Sequence, residues 1–178
     1  MQMSSFFSAL ALGSAALLAA HPAVAQQKLV PAQSEVQFTA RQMGVPLEGH
    51  FKKFDAQVSF DPAKLATSKI VFTVDTGSAT MGSRETDAEL PKATWFNVPQ
   101  FPQATFQSSA IKALGAGKFE VTGKLSIKGM ARDVVVPVTL VQNGATTMAT
   151  GALPLKRLAF KIGENEWADT SMVADDVQ

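Results

Sequence analysis

The sequence predicts an all-β chain, folded as an antiparallel barrel or sandwich. Three observations carry that expectation. Apolar and polar side chains alternate with a period of two through most of residues 35–155. Turn signals, among them Asn143-Gly144 and Gly115-Ala116-Gly117, separate the alternating stretches. No long window shows the spacing of an amphipathic helix. Alternation buries one face of a strand, and strands at this spacing with turns between them pack as barrels or sandwiches.

The first 25 residues stand apart from that pattern. Residues 6–20 form a small-residue apolar run of signal-peptide length, and Ala23-Val24-Ala25 fits the small-x-small cleavage rule. The expected mature chain begins near Gln26, and the expected location is the bacterial periplasm. The run has no Lys or Arg before it, a departure from the usual signal peptide. With no cysteine in the chain, disulfides, thiolate metal sites, thiol nucleophiles and lipoprotein attachment are excluded. The length of 178 residues suits one domain after the signal, over residues 26–178. A formal net charge of +1 lacks the basic excess of a nucleic-acid binder.

Val36, Phe38 and Ala40 share the first strand face, and Val45, Leu47, Gly49 and Phe51 the second. Ala56, Val58 and Phe60 share a third, and Ile70, Phe72 and Val74 a fourth. Asp61-Pro62 between them reads as a turn or one helical turn. The period breaks over residues 76–102. There Ser83 or Thr86 would cap a short helix, and Pro91 would end it by biasing Leu90 away from helical geometry. Alternation resumes with Ala104 and Phe106, then runs through Phe119, Val121, Gly123, Leu125 and Ile127. Val134, Val136, Val138 and Leu140 form the next face, and Asn143-Gly144 turns the chain into a strand over residues 146–155.

The chemistry-bearing residues are few. His50 is the one His of the mature chain and reads as a surface-strand residue, too isolated for a His metal cluster or a nucleophile–His triad. Glu85, Asp87 and Glu89 read as a solvated helix start, favourable at the positive end of the helix dipole, with an acid/base site as the competing reading. Glu164, Glu166, Asp169, Asp175 and Asp176 fit no EF-hand spacing. No metal site and no catalytic residue is expected. The 12 Phe and two Trp are the informative set, because most of the Phe fall on the apolar phase of their strands. A barrel of about eight strands either fills its interior or holds one ligand, and periodicity alone leaves both open.

The order of motifs resembles the YceI-like family. Gly49-His50-Phe51 with Phe54 is similar to its G-x-F-x-x-F strand turn. Arg84-Glu85-Thr86-Asp87, then Trp95-Phe96-Asn97-Val98, then Phe101-Pro102 through Thr105-Phe106 follow in the family's order. Gly123-Lys124-Leu125-Ser126-Ile127-Lys128-Gly129 resembles its G-x-L-x-I-x-G hairpin, with Arg132-Asp133-Val134 as the continuation. The resemblance implies a lipocalin-like antiparallel β-barrel with a short helical cap, holding a polyisoprenoid-tailed amphiphile such as an isoprenoid quinone or polyprenyl lipid. It implies no cofactor beyond that lipid, and a cytochrome b561-type membrane protein as a partner. The expected lumen residues are Phe38, Phe51, Phe54, Val58, Phe60, Phe72, Trp95, Phe96, Phe106, Phe119, Leu125 and Ile127, with Arg84 as the head-group candidate. Two departures stand out. The loop reads Arg84-Glu85 where the family has Arg-Asp, and the closing strand expected after the acidic turn at residues 173–178 is not seen in the sequence; either the chain is truncated, the favoured expectation, or closure comes from elsewhere. Unpaired edges left that way invite pairing with a second copy of the chain. A stress-protective protein with a filled core, and an enzyme using the acidic loop, are the alternative readings.

Overall fold

A computed structural model describes residues 26–178; the signal peptide expected over residues 1–25 lies outside the described residues. Among the described residues, twelve strands are formed. In chain order they are β1 (Gln27–Lys28), β2 (Val36–Gln42), β3 (Val45–Phe51), β4 (Phe54–Ser59), β5 (Lys69–Asp75) and β6 (Ala79–Thr80). After the helix α1 (Arg84–Glu89) come β7 (Gln103–Gly115), β8 (Lys118–Ile127), β9 (Met130–Asn143), β10 (Thr146–Gly151), β11 (Leu155–Lys156) and β12 (Asp176–Val177). Every pairing is antiparallel. The main sheet has the order β1-β4-β5-β7-β8-β9-β10, and β2-β3-β6 and β11-β12 form two smaller sheets. The long sheet curls into a half-barrel, the all-β architecture expected from the alternation.

The hairpins follow from local chemistry. Met43-Gly44, Ala116-Gly117 and Lys128-Gly129 each form a two-residue loop with both residues at positive φ. That geometry matches the right-handed twist of the flanking strands, and glycine at the second position adopts it without a Cβ penalty. The Asn143-Gly144 signal also turns the chain, but one residue later than the sequence suggests. Asn143 pairs with Thr146, so Gly144 and Ala145 form the loop. The strand expected over residues 146–155 is likewise divided. It stops at Gly151 and restarts at Leu155. Pro154 has no N–H to give a ladder and restricts Leu153 before it.

Curvature can be read from one contact. Phe60 lies just past the end of β4 and Phe119 near the start of β8, with β5 and β7 between those strands. Flat sheet geometry would separate β4 and β8 by about 14 Å. Their rings instead meet edge to face at 5.2 Å between centroids. The opposite end is sealed by side chains. Leu90, Phe96, Ile127 and Phe160 are buried there, with Phe51, Met81, Val98, Leu125 and Leu155 packed around them. The 84–102 segment supplies Leu90 and Phe96 to this plug; α1 ends before Pro91 as expected, but Leu90 keeps helical backbone geometry, at φ −53° and ψ −36°, rather than being biased out of it.

The C-terminal residues are paired rather than looped. Thr39 and Gln178 exchange two backbone bonds of 2.8 and 3.0 Å, and the Ala174 N–H donates to Arg41 O at 2.9 Å. The segment expected as an acidic turn thus lies along β2, with Asp176–Val177 also pairing β11. At the other edge, β10 is bonded to β9 alone and all six of its residues are exposed. Among the described residues no helix is long and apolar enough to cross a membrane.

Candidate ligand-binding trough

Register assigns every strand residue of the main sheet to one of two faces. Phe54 pairs with Val74, Ala56 with Phe72, and Val58 with Ile70. Phe72 pairs with Phe106, and Phe106 with Leu125. Phe119 pairs with Val138, and Val121 with Val136. These residues form one continuous inward row set, which joins Phe38 and Phe51 of the small sheet into a trough lined by aromatic and branched side chains. Phe38 and Phe51 meet at 5.4 Å, and Phe54 stacks on Phe72 at 5.9 Å.

The trough is apolar yet incompletely filled. Phe38, Phe51, Phe54, Val58, Phe60, Phe72, Phe106, Phe119 and Leu125 are all only half-buried. Two glycines on the same face explain how the rings lie. A Cβ at Gly49 would fall 2.3 Å from the Phe38 ring, and one at Gly123 would fall 2.5 Å from the Phe106 ring. Both rings therefore lie flat across a neighbouring strand, where any larger residue would lift them into the trough. This is the physical content of the glycines in the G-x-F and G-x-L motifs.

Of the remaining expected lumen residues, Phe96 and Ile127 belong to the plug, and Trp95 packs on a second tryptophan instead. Both plug residues are buried, and Phe96 meets the Phe51 ring at 5.8 Å. Trp95 packs on Trp167 at 5.5 Å, and its Nε1 is buried without a protein partner. Arg84 opens α1, is exposed, and makes no ion pair or side-chain hydrogen bond among the described residues.

The three carboxylates of the acidic cluster are held by separate partners. Ser83, the helix N-cap, donates its hydroxyl to Glu85 Oε2 at 2.9 Å. Glu89 pairs with Lys92. Asp87 reaches back to β6, accepting from the Thr80 hydroxyl and from the Met81 N–H at 2.7 Å. Among the described residues no group of three or more His, Asp or Glu gathers in a metal-ligating cluster. The Thr80 hydroxyl and then the Met81 N–H hold the Asp87 carboxyl below its ordinary value of 3.8. A depressed carboxyl adds stability that is present above the unfolded value and is lost as pH falls through the folded value. Asp87→Asn should therefore narrow its stability difference from wild type as pH drops below about 4. Thermal unfolding at pH 7 and pH 3 checks this; an equal difference at both sinks it.

Sequence reasoning missed Arg157, which ties together the chain from residue 157 to residue 174. It is 3% exposed, and its guanidinium donates to five backbone carbonyls. Nε bonds Ala174 O at 3.0 Å, Nη1 bonds Ile162 O and Gly163 O at 2.9 Å, and Nη2 bonds Trp167 O at 2.7 Å and Val173 O at 2.6 Å. Burial pushes the guanidinium down, and Asp175 opposes the shift. Nothing in period-two patterning marks such a residue, because its partners are all backbone.

Two surface cavities lie away from the large-sheet aromatics. One of about 380 Å³ is lined by Asn97, Phe101, Lys128, Lys161 and Glu164, with Lys128 almost fully buried and paired to Glu164 at 2.9 Å. The other, of about 400 Å³, lies between Pro46, Leu47, Met81 and Thr86.

Known proteins resemble this chain in sequence or in fold. A UPF0312 protein of Azotobacter vinelandii is 36% identical over 140 residues, which is 76% of this chain and 72% of the relative. Burkholderia cenocepacia BcnA superposes with a TM-score of 0.81 at 51% identity, over 84% of this chain and 94% of that chain. A polyisoprenoid-binding domain from Saccharophagus degradans has the same fold, with a TM-score of 0.63 at 14% identity, over 80% of this chain and 87% of that one. The model of the YceI-like domain matches residues 27–178, the whole of the folded part described above, and the chain belongs to that family.

Proposed function

We propose that this chain binds an amphiphile with a polyisoprenoid tail in the trough, as a periplasmic carrier or store. One observation carries the reading: the inward Phe of the curled sheet are half-buried, while the buried apolar cluster of Leu90, Phe96, Ile127 and Phe160 sits at one end and Val121 is a single buried residue of the trough wall. An apolar surface left partly uncovered gains by burying hydrocarbon, at about 0.8 kcal/mol per CH₂. One isoprene unit would contribute about 3 kcal/mol before ordering costs. Aromatic walls suit a methyl-branched chain because they offer area without polar groups to desolvate. The polyisoprenoid-binding neighbour, though only 14% identical, supports the same ligand class. The reading makes the protein a binder rather than an enzyme, and an isoprenoid quinone or polyprenyl lipid its cargo. Delivery to or from a cytochrome b561-type membrane protein belongs to the same proposal.

The test is organic extraction of natively purified protein followed by mass spectrometry. An isoprenoid lipid at near one per chain is expected. A fully folded protein that yields an empty extract, and that takes up no isoprenoid when offered one, overturns the reading.

A further inference from the structure

Among the described residues, the inward rows of the main sheet carry a single charged side chain, Arg132. Register places it there: Arg132 pairs with Leu125, in the same row set as Val134 opposite Gly123 and Val136 opposite Val121. The neighbouring charges face the other way. Asp133 pairs with Lys124 across the outward face at 2.7 Å. No carboxylate pairs with Arg132 among the described residues; one of its five N–H donors, on Nη2, bonds Ala159 O at 3.2 Å.

Its place in the wall matters as much as its face. β10 covers β9 only from Val138 to Asn143, so Arg132 lies where β9 has no partner strand on that side. It is exposed, with solvent on one side and the apolar trough on the other. A cation on an otherwise apolar strand face is unfavourable unless it stays hydrated or meets an acceptor. A guanidinium with spare donors binds phosphate or carbonyl oxygens through charge-assisted hydrogen bonds.

We propose that Arg132 holds the polar end of the bound lipid, and that this end carries acceptor oxygens, as a phosphate or a quinone carbonyl does. The inference rests on the trough being the lipid site. It places the head at the lateral gap beside β9, away from Arg84 on α1.

Equilibrium dialysis of lipid-stripped protein with three radiolabelled ligands tests it. All share a four-isoprene tail: geranylgeranyl phosphate, a quinone, and a hydrocarbon with no polar end. Arg132→Gln should weaken the phosphate or the quinone by about tenfold to a hundredfold while the hydrocarbon changes by less than about twofold. Arg132→Lys should retain part of the affinity, and Arg84→Gln should change none. The ligand with the larger loss identifies phosphate or carbonyl as the natural head. Equal loss for all three ligands, no loss for any, or a head-selective loss in Arg84→Gln overturns the assignment while the trough reading stands. If no tail-bearing ligand binds the wild type, both fall.

Discussion

Arg157→Met is expected to destabilise the fold by about 4 kcal/mol or more, among the largest effects a single substitution produces. Methionine nearly matches the arginine stem in volume, so the loss is electrostatic and hydrogen-bonded rather than a cavity. Five carbonyls, from Ile162, Gly163, Trp167, Val173 and Ala174, would lose their donor at once. Buried acceptors without partners carry the full desolvation penalty. The side chain also ties two segments together, since carbonyls of residues 162–167 and of residues 173–174 both bond its guanidinium. The second of these runs into the segment that pairs with β2. Urea unfolding monitored by tryptophan fluorescence reads the change. Arg157→Lys should recover little of it, because an ammonium has three donors and cannot fork toward five acceptors. A loss below about 1 kcal/mol for Arg157→Met would show that the clamp is incidental.

Val136→Asp is expected to abolish lipid retention, by about a hundredfold or more in affinity. Val136 lies in the inward row opposite Val121, so a carboxylate there would have to lose its water when a hydrocarbon tail arrives. The desolvation penalty is several kcal/mol per ion, with no partner cation on that face nearer than Arg132. The adjacent Val135 supplies the control. It faces outward, is 47% exposed, and Val135→Asp should leave binding and stability nearly unchanged. Extraction of both variants, with circular dichroism to establish folding, separates the faces. If both variants retain lipid, or both lose it, the trough is not the binding surface.

Much of this pair of faces was legible from alternation. The phases of Phe54, Phe72, Phe106, Phe119 and Val136 follow from a side-chain period of two, which survives any detail of packing. The same phase places Arg132 in the row of Val134, Val136 and Val138, a cation on an apolar strand face, whereas Arg84 opens the exposed helix α1. The glycine turns were legible too, except that Asn143-Gly144 loops one residue later. Arg157 was not legible. Its hydrogen bonds go to main-chain carbonyls, which leave no mark on residue type. Trp95 was equally hidden, since its contact with Trp167 joins two loops with no periodicity.

By itself the sequence determined the longer strands β2–β5 and β7–β9, their buried faces, the short capped helix before Pro91 and the family motifs. Each of these depends on local geometry: alternation, φ preferences and capping. Only the tertiary structure decided which strands became neighbours, that Leu90 and Phe96 plug one end, and that the rest of the aromatic face stays partly uncovered. Those outcomes depend on how far the sheet curls and on what the irregular segments fill, and both are set by contacts between residues far apart in the chain.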